Sequence, residues 1–91
     1  MGILLLTIKI MPKSVKTDLH EIEQQAQKIA NTFKFTISKI KQEPVAFGLI
    51  ALFIYVSVDE NTTNLDAFED ELRNLDNVAS VEITDMRRGI G

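Results

Sequence analysis

Two long apolar segments dominate the pattern of hydrophobic and polar positions. Residues 45–58, with Phe47 near the start, carry no charge and are rich in the β-branched and aromatic residues that suit a pleated, buried surface. Both alternating faces of this segment are apolar, which predicts a long central strand with helices on one face and cover over part of the other. It is shorter than the roughly 20 residues of a membrane-spanning helix. Residues 3–11 have the same character and predict a second central strand.

The stretch after Met11-Pro12 predicts a first amphipathic helix. A polar connection precedes it, and Ser14 or Thr17 is expected to cap it, with Asp18 in the first turn, where the helix dipole favours an acid. The helix is expected to extend to about Asn31. Its apolar positions recur at helical spacing: Val15, Leu19, Ile22, Ala26, Ile29 and Ala30.

A second helix is predicted after the polar loop 59–63. Thr63 or Asn64 is expected to cap it. Its apolar residues form a single stripe, which indicates a helix lying with one face on the core: Leu65, Phe68, Leu72 and Leu75.

Residues 34–41 and 81–88 predict two edge strands. In the first, strict alternation places Phe35 and Ile37 on one face and Ile40 on the other. Lysines along this strand suit a sheet edge, where charge blocks pairing with foreign strands: Lys34, Lys39 and Lys41.

These elements give the order β-α-β-β-α-β, an α+β, ferredoxin-like plan with a four-stranded antiparallel sheet and two helices on one face. Residues 1–91 form a single domain, with residues 89–91 as a loose tail. In this plan the turn at 43–47 lies at one end of the sheet and residues 86–88 lie at the other. Roughly 25–35 Å of strand separates the two ends.

Composition narrows the classes of function. The fractions of hydrophobic (45%) and charged (25%) residues are those of a globular domain. There is no cysteine, which excludes a disulfide scaffold and a thiolate metal site. The net charge of −3 argues against direct nucleic acid binding. No signal peptide or membrane span is recognisable, so a cytoplasmic location is expected.

The sequence holds little candidate chemistry of its own. The acids at 59–60 and 69–71 lack the ligand spacing of a calcium loop, and His20 is a lone histidine, expected at the surface. Neither phosphate-binding glycine motif is present. We therefore expect no metal and no cofactor.

Two positions suit contact with a partner. Phe47 stands beside the turn signal of Pro44, and either an exposed aromatic anchor or a core phenylalanine fits this position. Arg87-Arg88 is the only adjacent pair of arginines and comes where the last strand ends. It is either a solvated basic end or a contact to carboxylate or phosphate, which the guanidinium group suits.

The segments around these positions resemble the archaeal elongation factor 1-beta family. They are residues 43–49 with the apolar strand that follows, and residues 78–88. The first strand ending in Met11-Pro12 and the overall length also match, so the resemblance covers essentially the whole chain. The chain is also similar to the C-terminal exchange domain of the eukaryotic elongation factor 1-beta subunit.

The resemblance implies guanine nucleotide exchange on the translational GTPase elongation factor 1-alpha. Exchange makes and breaks no covalent bond, so an enzyme in the chemical sense is not expected. In that family an aromatic side chain docks on a β-barrel domain of the GTPase, and a basic residue near the C-terminus approaches the Mg²⁺ and phosphate site. Phe47, beside Pro44, falls on the aromatic position. Arg88, preceded by Met86 and Arg87, falls where the eukaryotic domain has a lysine.

Two other functions remain open on the sequence. One is a small-molecule-binding regulatory domain that acts as a dimer, which the fold would support equally well. The other is an RNA platform with bases stacked on aromatic residues of the 45–58 strand, namely Phe47, Phe53 and Tyr55. The lack of an aromatic residue in the first strand and the acidic second half disfavour it. For the exchange factor we expect a monomer that dimerises weakly at most, with no membrane partner.

Overall fold

The computed structural model describes residues 2–62 and 64–89, which form four strands and two helices. In chain order the elements are β1 (Ile3–Pro12), α1 (Leu19–Phe33), β2 (Thr36–Pro44), β3 (Ile50–Asp59), α2 (Leu65–Arg73) and β4 (Val78–Gly89). This order confirms the predicted α+β, ferredoxin-like plan. The predicted cap at Thr63 and residues 90–91 of the predicted tail lie outside the described residues. The prediction of a loose tail is wrong for Gly89, which is the last residue of β4 and pairs with Ile3.

The four strands form one antiparallel sheet in the order β2-β3-β1-β4. The two most apolar strands are central and the two charged strands are edges, as predicted. Because β1 and β2 run in the same direction, the turn after β2 lies where β1 ends. Pro44 pairs with Ile50 at this end, and Arg88 pairs with Leu4 at the other. Eight residues of β1, about 25 Å, separate the two ends.

The core lies between one face of the sheet and the two helices. Three phenylalanine rings, from Phe33, Phe35 and Phe68, meet there with centroids 5.0–5.6 Å apart. Burial of one such ring contributes about 1.5–3 kcal/mol to folding. The sheet supplies alternate residues of its central strands: Leu6, Ile8, Ile10, Leu52, Ile54, Val56 and Val58.

The start of α1 differs from the prediction. Asp18 caps the helix, because its side chain accepts hydrogen bonds from the backbone N–H groups of His20 and Glu21. The hydroxyl of Thr17 instead accepts the N–H of Ser14 at 3.2 Å within the preceding loop. A local turn therefore holds both of the expected caps outside the helix. The helix also ends slightly later than predicted, at Phe33.

The start of β3 is also different. The predicted strand 45–58 begins only at Ile50, because Ala46–Gly48 form a 3₁₀ turn in which two successive residues have positive φ angles. Phe47 therefore lies outside the strand. From Ile50 to Val58 the predicted alternation of faces holds.

Register shifts in both edge strands alter which residues share a face. In β2 the register shifts between Ile37 and Lys39, so that Ile37 pairs with Val56 and Ile40 pairs with Ile54. Both isoleucines therefore pack on the core, and the prediction that they lie on opposite faces is wrong. The strand also begins and ends later in the chain than predicted, at 36–44 instead of 34–41. In β4 the register shifts twice, at Ala79 and at Thr84, and the shift at Thr84 lies near the arginines.

Candidate functional site

The turn between β2 and β3 presents Phe47 to solvent. The N–H of Val45 donates to the carbonyl of Leu49 at 2.8 Å, and the N–H of Leu49 donates to the carbonyl of Ala46 at 3.3 Å. These bonds close a tight loop that holds Phe47 at φ 63° and leaves it 94% exposed. Such a backbone costs a residue other than glycine of order 1–3 kcal/mol. A strained and exposed aromatic residue fits the partner anchor and not the core residue.

Two further apolar side chains surround this turn. Val15 is 64% exposed and Ile50 is 39% exposed. Val15 was predicted on the apolar stripe of α1, but it lies in the loop before that helix, with a methyl group 3.6 Å from the position that a Cβ of Gly48 would take. Val15 and Ile50 also line a cavity of about 340 Å³ at this end. We call Val15, Phe47 and Ile50 the turn-end patch.

At the other end of the sheet, a bulge in β4 separates the two arginines. Ile83 pairs with Ile8 and Asp85 with Thr7, so Thr84 is the extra residue, and its hydroxyl donates to the carbonyl of Thr7 at 3.3 Å. Beyond the bulge, Arg87 pairs with Leu5 and Arg88 pairs with Leu4. Because directly paired residues share a face, Arg87 lies on the open face of the sheet and Arg88 lies on the helix side.

Both guanidinium groups are exposed, and each has one carboxylate partner among the described residues. Arg87 Nε donates to Asp85 Oδ2 at 2.8 Å, while Arg88 Nε lies 3.4 Å from Glu60 Oε2. Exposed ion pairs of this kind contribute at most about 1 kcal/mol to stability. Both arginines therefore keep most of their ability to bind an external anion.

Exposed apolar side chains also gather at the arginine end. Among the described residues, six large hydrophobic side chains are exposed. Three form the turn-end patch, and the other three lie beside the arginines, where we call them the arginine-end patch: Ile3, Leu5 and Met86. The exposed apolar residues are therefore divided between the two ends of the sheet, a feature that strand patterns alone do not reveal.

The centre of the open face is less apolar than its sequence suggests. Phe53 and Tyr55 are half-buried, and each pairs with a lysine of β2, Lys41 and Lys39 respectively. The Lys39 ammonium lies 5.8 Å from the centre of the Tyr55 ring, which is within range of a cation–π interaction. Lysine stems thus flank much of this surface.

The other candidate groups are surface features. His20 is exposed, and its ring contacts the amide of Gln24 at 3.2 Å. Glu69 and Asp70 both bind Arg73. No group of three potential metal ligands occurs within residues 2–62 and 64–89. None of the helices in the described part of the chain is long and apolar enough to cross a membrane.

Comparison of the fold with solved structures shows similar domains, among them the following two. The C-terminal domain of the MgtC protein from Mycobacterium tuberculosis has a TM-score of 0.64 at 16% identity and covers 97% of this chain and 87% of that one. The ACT domain from GTP pyrophosphokinase of Chlorobium tepidum has a TM-score of 0.60 at 23% identity, with 86% and 94% covered. At these identities the likeness shows a shared fold alone.

Comparison of the sequence is more specific. Residues 5–88 match the family described as the EF-1 guanine nucleotide exchange domain. Elongation factor 1-beta of Methanothermobacter thermautotrophicus is 37% identical over 89 residues, and that of Methanobrevibacter smithii is 39% identical over 88. Each alignment covers 97% of this chain and 98% of the relative. The chain therefore belongs to the elongation factor 1-beta family and is a guanine nucleotide exchange factor of translation elongation.

Proposed function

We propose that the protein binds elongation factor 1-alpha through both ends of its sheet and promotes release of GDP from it. The observation that supports this proposal is the division of the exposed apolar side chains between the two ends, with Phe47 at one and Arg87 and Arg88 at the other. The molecule is 42 Å long, so a partner that contacts both ends must be large. A multidomain GTPase meets this requirement.

The turn end provides affinity. Phe47 is an aromatic side chain with few rotatable bonds, held out of the core by the backbone hydrogen bonds of a turn that follows Pro44. Such an anchor enters a pocket of the partner with little loss of conformational entropy, and a few anchors of this kind dominate the energy of most interfaces. Val15 and Ile50 would surround it and exclude water.

The arginine end acts on the nucleotide site. A guanidinium group binds phosphate or carboxylate oxygens through several donors in one plane. We assign the main role to Arg88, with Arg87 and Met86 as neighbouring contacts. Its charge would compete with Mg²⁺ for the anionic groups around the bound GDP and so weaken the hold of the GTPase on its nucleotide.

The physical mechanism is linkage between two ligands of one protein. The exchange factor binds the GTPase more tightly when the Mg²⁺ and phosphate site is disrupted than when GDP is bound. The exchange factor and GDP therefore each lower the affinity of the GTPase for the other, and by the same ratio. No covalent bond is made or broken. The protein then acts as an exchange factor and not as an enzyme in the chemical sense, and it needs no cofactor.

Partner, location and assembly follow from this role. We place the protein in the cytoplasm, where translation occurs, as a monomer that dimerises weakly at most. The alternative of a ligand-binding regulatory dimer has only the fold likeness in its favour, and fold alone does not select a function.

The test is the release of fluorescent GDP from the cognate elongation factor 1-alpha, with and without a catalytic amount of this protein. We expect faster release that saturates with factor concentration. A matched variant, Lys28→Ala, removes an exposed positive charge from α1 and should behave as wild type. Unchanged GDP release in the presence of folded factor would contradict the proposal, and light scattering at increasing ligand concentrations would then test for a dimer.

A further inference from the structure

The carboxylate of Glu60 lies beside Arg88 at the arginine end. Glu60 follows the last residue of β3, and its backbone N–H donates to the carbonyl of Gly2 at 3.1 Å. This bond holds Glu60 alongside the start of β1. Its side chain is only 28% exposed, whereas that of Arg88 is 78% exposed. The acid is therefore the more buried member of the pair and the arginine is the more exposed one.

Gly2 makes the position of this carboxylate possible. A Cβ atom added at Gly2 would overlap the carboxylate of Glu60. Since the end of a glutamate side chain is flexible, any larger residue at this position would displace the carboxylate before it displaced the backbone. Gly2, which precedes β1, thus leaves space for the carboxylate of Glu60, which follows β3. We call this space the Glu60 seat.

The orientation of the contact leaves Arg88 able to bind a second anion. Glu60 lies near Nε, and among the described residues no other carboxylate comes within 4 Å of the guanidinium group. The two terminal Nη groups keep their donors for an external phosphate or carboxylate. A long arginine side chain otherwise loses about 2 kcal/mol of rotamer freedom when it is fixed.

We propose that Glu60, seated on Gly2, is a positioning residue for Arg88, holding its guanidinium group on the helix side of the sheet end with the Nη groups directed outwards. This inference rests on the proposed role of Arg88 in exchange. It does not extend to Arg87, because Asp85 holds Arg87 within the same strand and on the opposite face.

The expected effect has the size of an exposed ion pair. Glu60→Gln keeps the shape of the side chain and removes its charge. We expect the rate of GDP release at saturating factor to fall about two- to five-fold, the range of a favourable surface pair. The concentration of factor that gives half of the maximal rate should change less than two-fold, since Glu60 acts on an orientation and not on docking. Glu71→Gln, which removes an exposed acid from α2, is the charge-matched control and should have no effect.

A double-mutant cycle with Arg88→Met separates positioning from a direct or structural role. If Glu60 acts through Arg88, Glu60→Gln should change the maximal rate of the Arg88→Met variant less than 1.5-fold. An equal effect in both backgrounds would overturn the inference, because Glu60 would then act independently of Arg88. Absence of any effect in the wild-type background would also overturn it.

Gly2→Ala tests the same seat without touching a charge. We expect it to reproduce the kinetic effect of Glu60→Gln, again only when Arg88 is present, with an unchanged thermal unfolding midpoint. A wild-type rate for Gly2→Ala would show that the carboxylate does not need this seat. Different results contradict the proposed function and this inference. If the wild-type protein does not accelerate GDP release, the proposed function is wrong. If it does, but Glu60 and Arg88 show no coupling, only the inference is wrong.

Discussion

The two ends of the sheet are built in different ways. At the turn end, backbone hydrogen bonds hold the backbone of Phe47 at a positive φ angle, and its ring is exposed together with Val15 and Ile50. At the arginine end, long charged side chains extend from a strand just beyond a bulge, and each is restrained by a single ion pair among the described residues. A rigid apolar group suits affinity, because little entropy is lost on binding. An exposed guanidinium group suits a site of phosphate or carboxylate oxygens, to which it offers several donors.

Truncation of the rigid anchor should have the largest effect. Phe47→Ala removes a fully exposed ring and leaves the core intact, so we expect the affinity for elongation factor 1-alpha to fall by about 30-fold or more, as for a central aromatic hot spot. The maximal rate of GDP release should change little. A titration of the release rate against factor concentration gives both quantities.

Tyr55→Phe is the control for this change, because it alters a ring in the middle of the open face and not at either end. It should leave the affinity within two-fold. If the two variants behave alike, Phe47 has no special place in the interface and the contrast between the ends is lost.

Loss of the cation should produce the opposite pattern. Arg88→Ala is expected to lower the maximal rate of GDP release about tenfold, the value of one hydrogen bond between charged groups, while the affinity falls less than three-fold. Arg87→Ala should have a smaller effect on the rate, because its guanidinium group lies on the other face and is hydrogen-bonded to Asp85. Equal losses of rate from the two substitutions would show that the face on which each arginine lies does not determine its contribution to GDP release.

A charge placed in the turn-end patch should have an intermediate effect. Val15→Asp puts a carboxylate beside Phe47, where a partner surface would have to desolvate it. Because Val15 is largely exposed, the fold should tolerate the change. We expect an affinity loss of about three- to ten-fold, measured by the same titration. Lys16→Asp, one residue further along the loop, is the control, and a similar loss there would indicate a general charge effect on association.

The fold plan could be predicted from the sequence because its signals are redundant. Two apolar segments mark the central strands, lysines mark an edge, and helical spacing marks both helices, so an error at one residue leaves the topology unchanged. The sequence signals for the N-terminal cap of α1 do not agree on one residue in this way. Ser14, Thr17 and Asp18 are all good caps, and only the local turn that engages Thr17 decides among them.

The arrangement of the site could be predicted only in part. The two ends follow from topology, and Pro44 is a sign of a turn, but Gly48 falls within the predicted strand 45–58 although it lies in the turn. The bulges at Ser38 and Thr84 leave no mark in composition, because an extra residue in a strand changes only the register. Strict alternation from Ile83 would place Arg88 on the open face, whereas the bulge places it on the helix side. The seat of Glu60 on Gly2 depends on that register and was equally invisible.

The smallest predicted effect tests whether the turn end stores strain for the sake of binding. Phe47→Gly should place at φ 63° a residue that adopts this conformation without steric cost, while adding freedom to the unfolded chain. The net gain in unfolding free energy should therefore be modest, about 0.5–1 kcal/mol, and visible as a rise of a few degrees in Tm. Phe47→Ala, which keeps the steric cost, should leave Tm nearly unchanged. A stabler protein that binds the GTPase poorly would show that the exposed ring is retained against the preference of the fold. A loss of stability in Phe47→Gly would mean that the ring supports its own turn, and its exposure would then no longer argue for a partner.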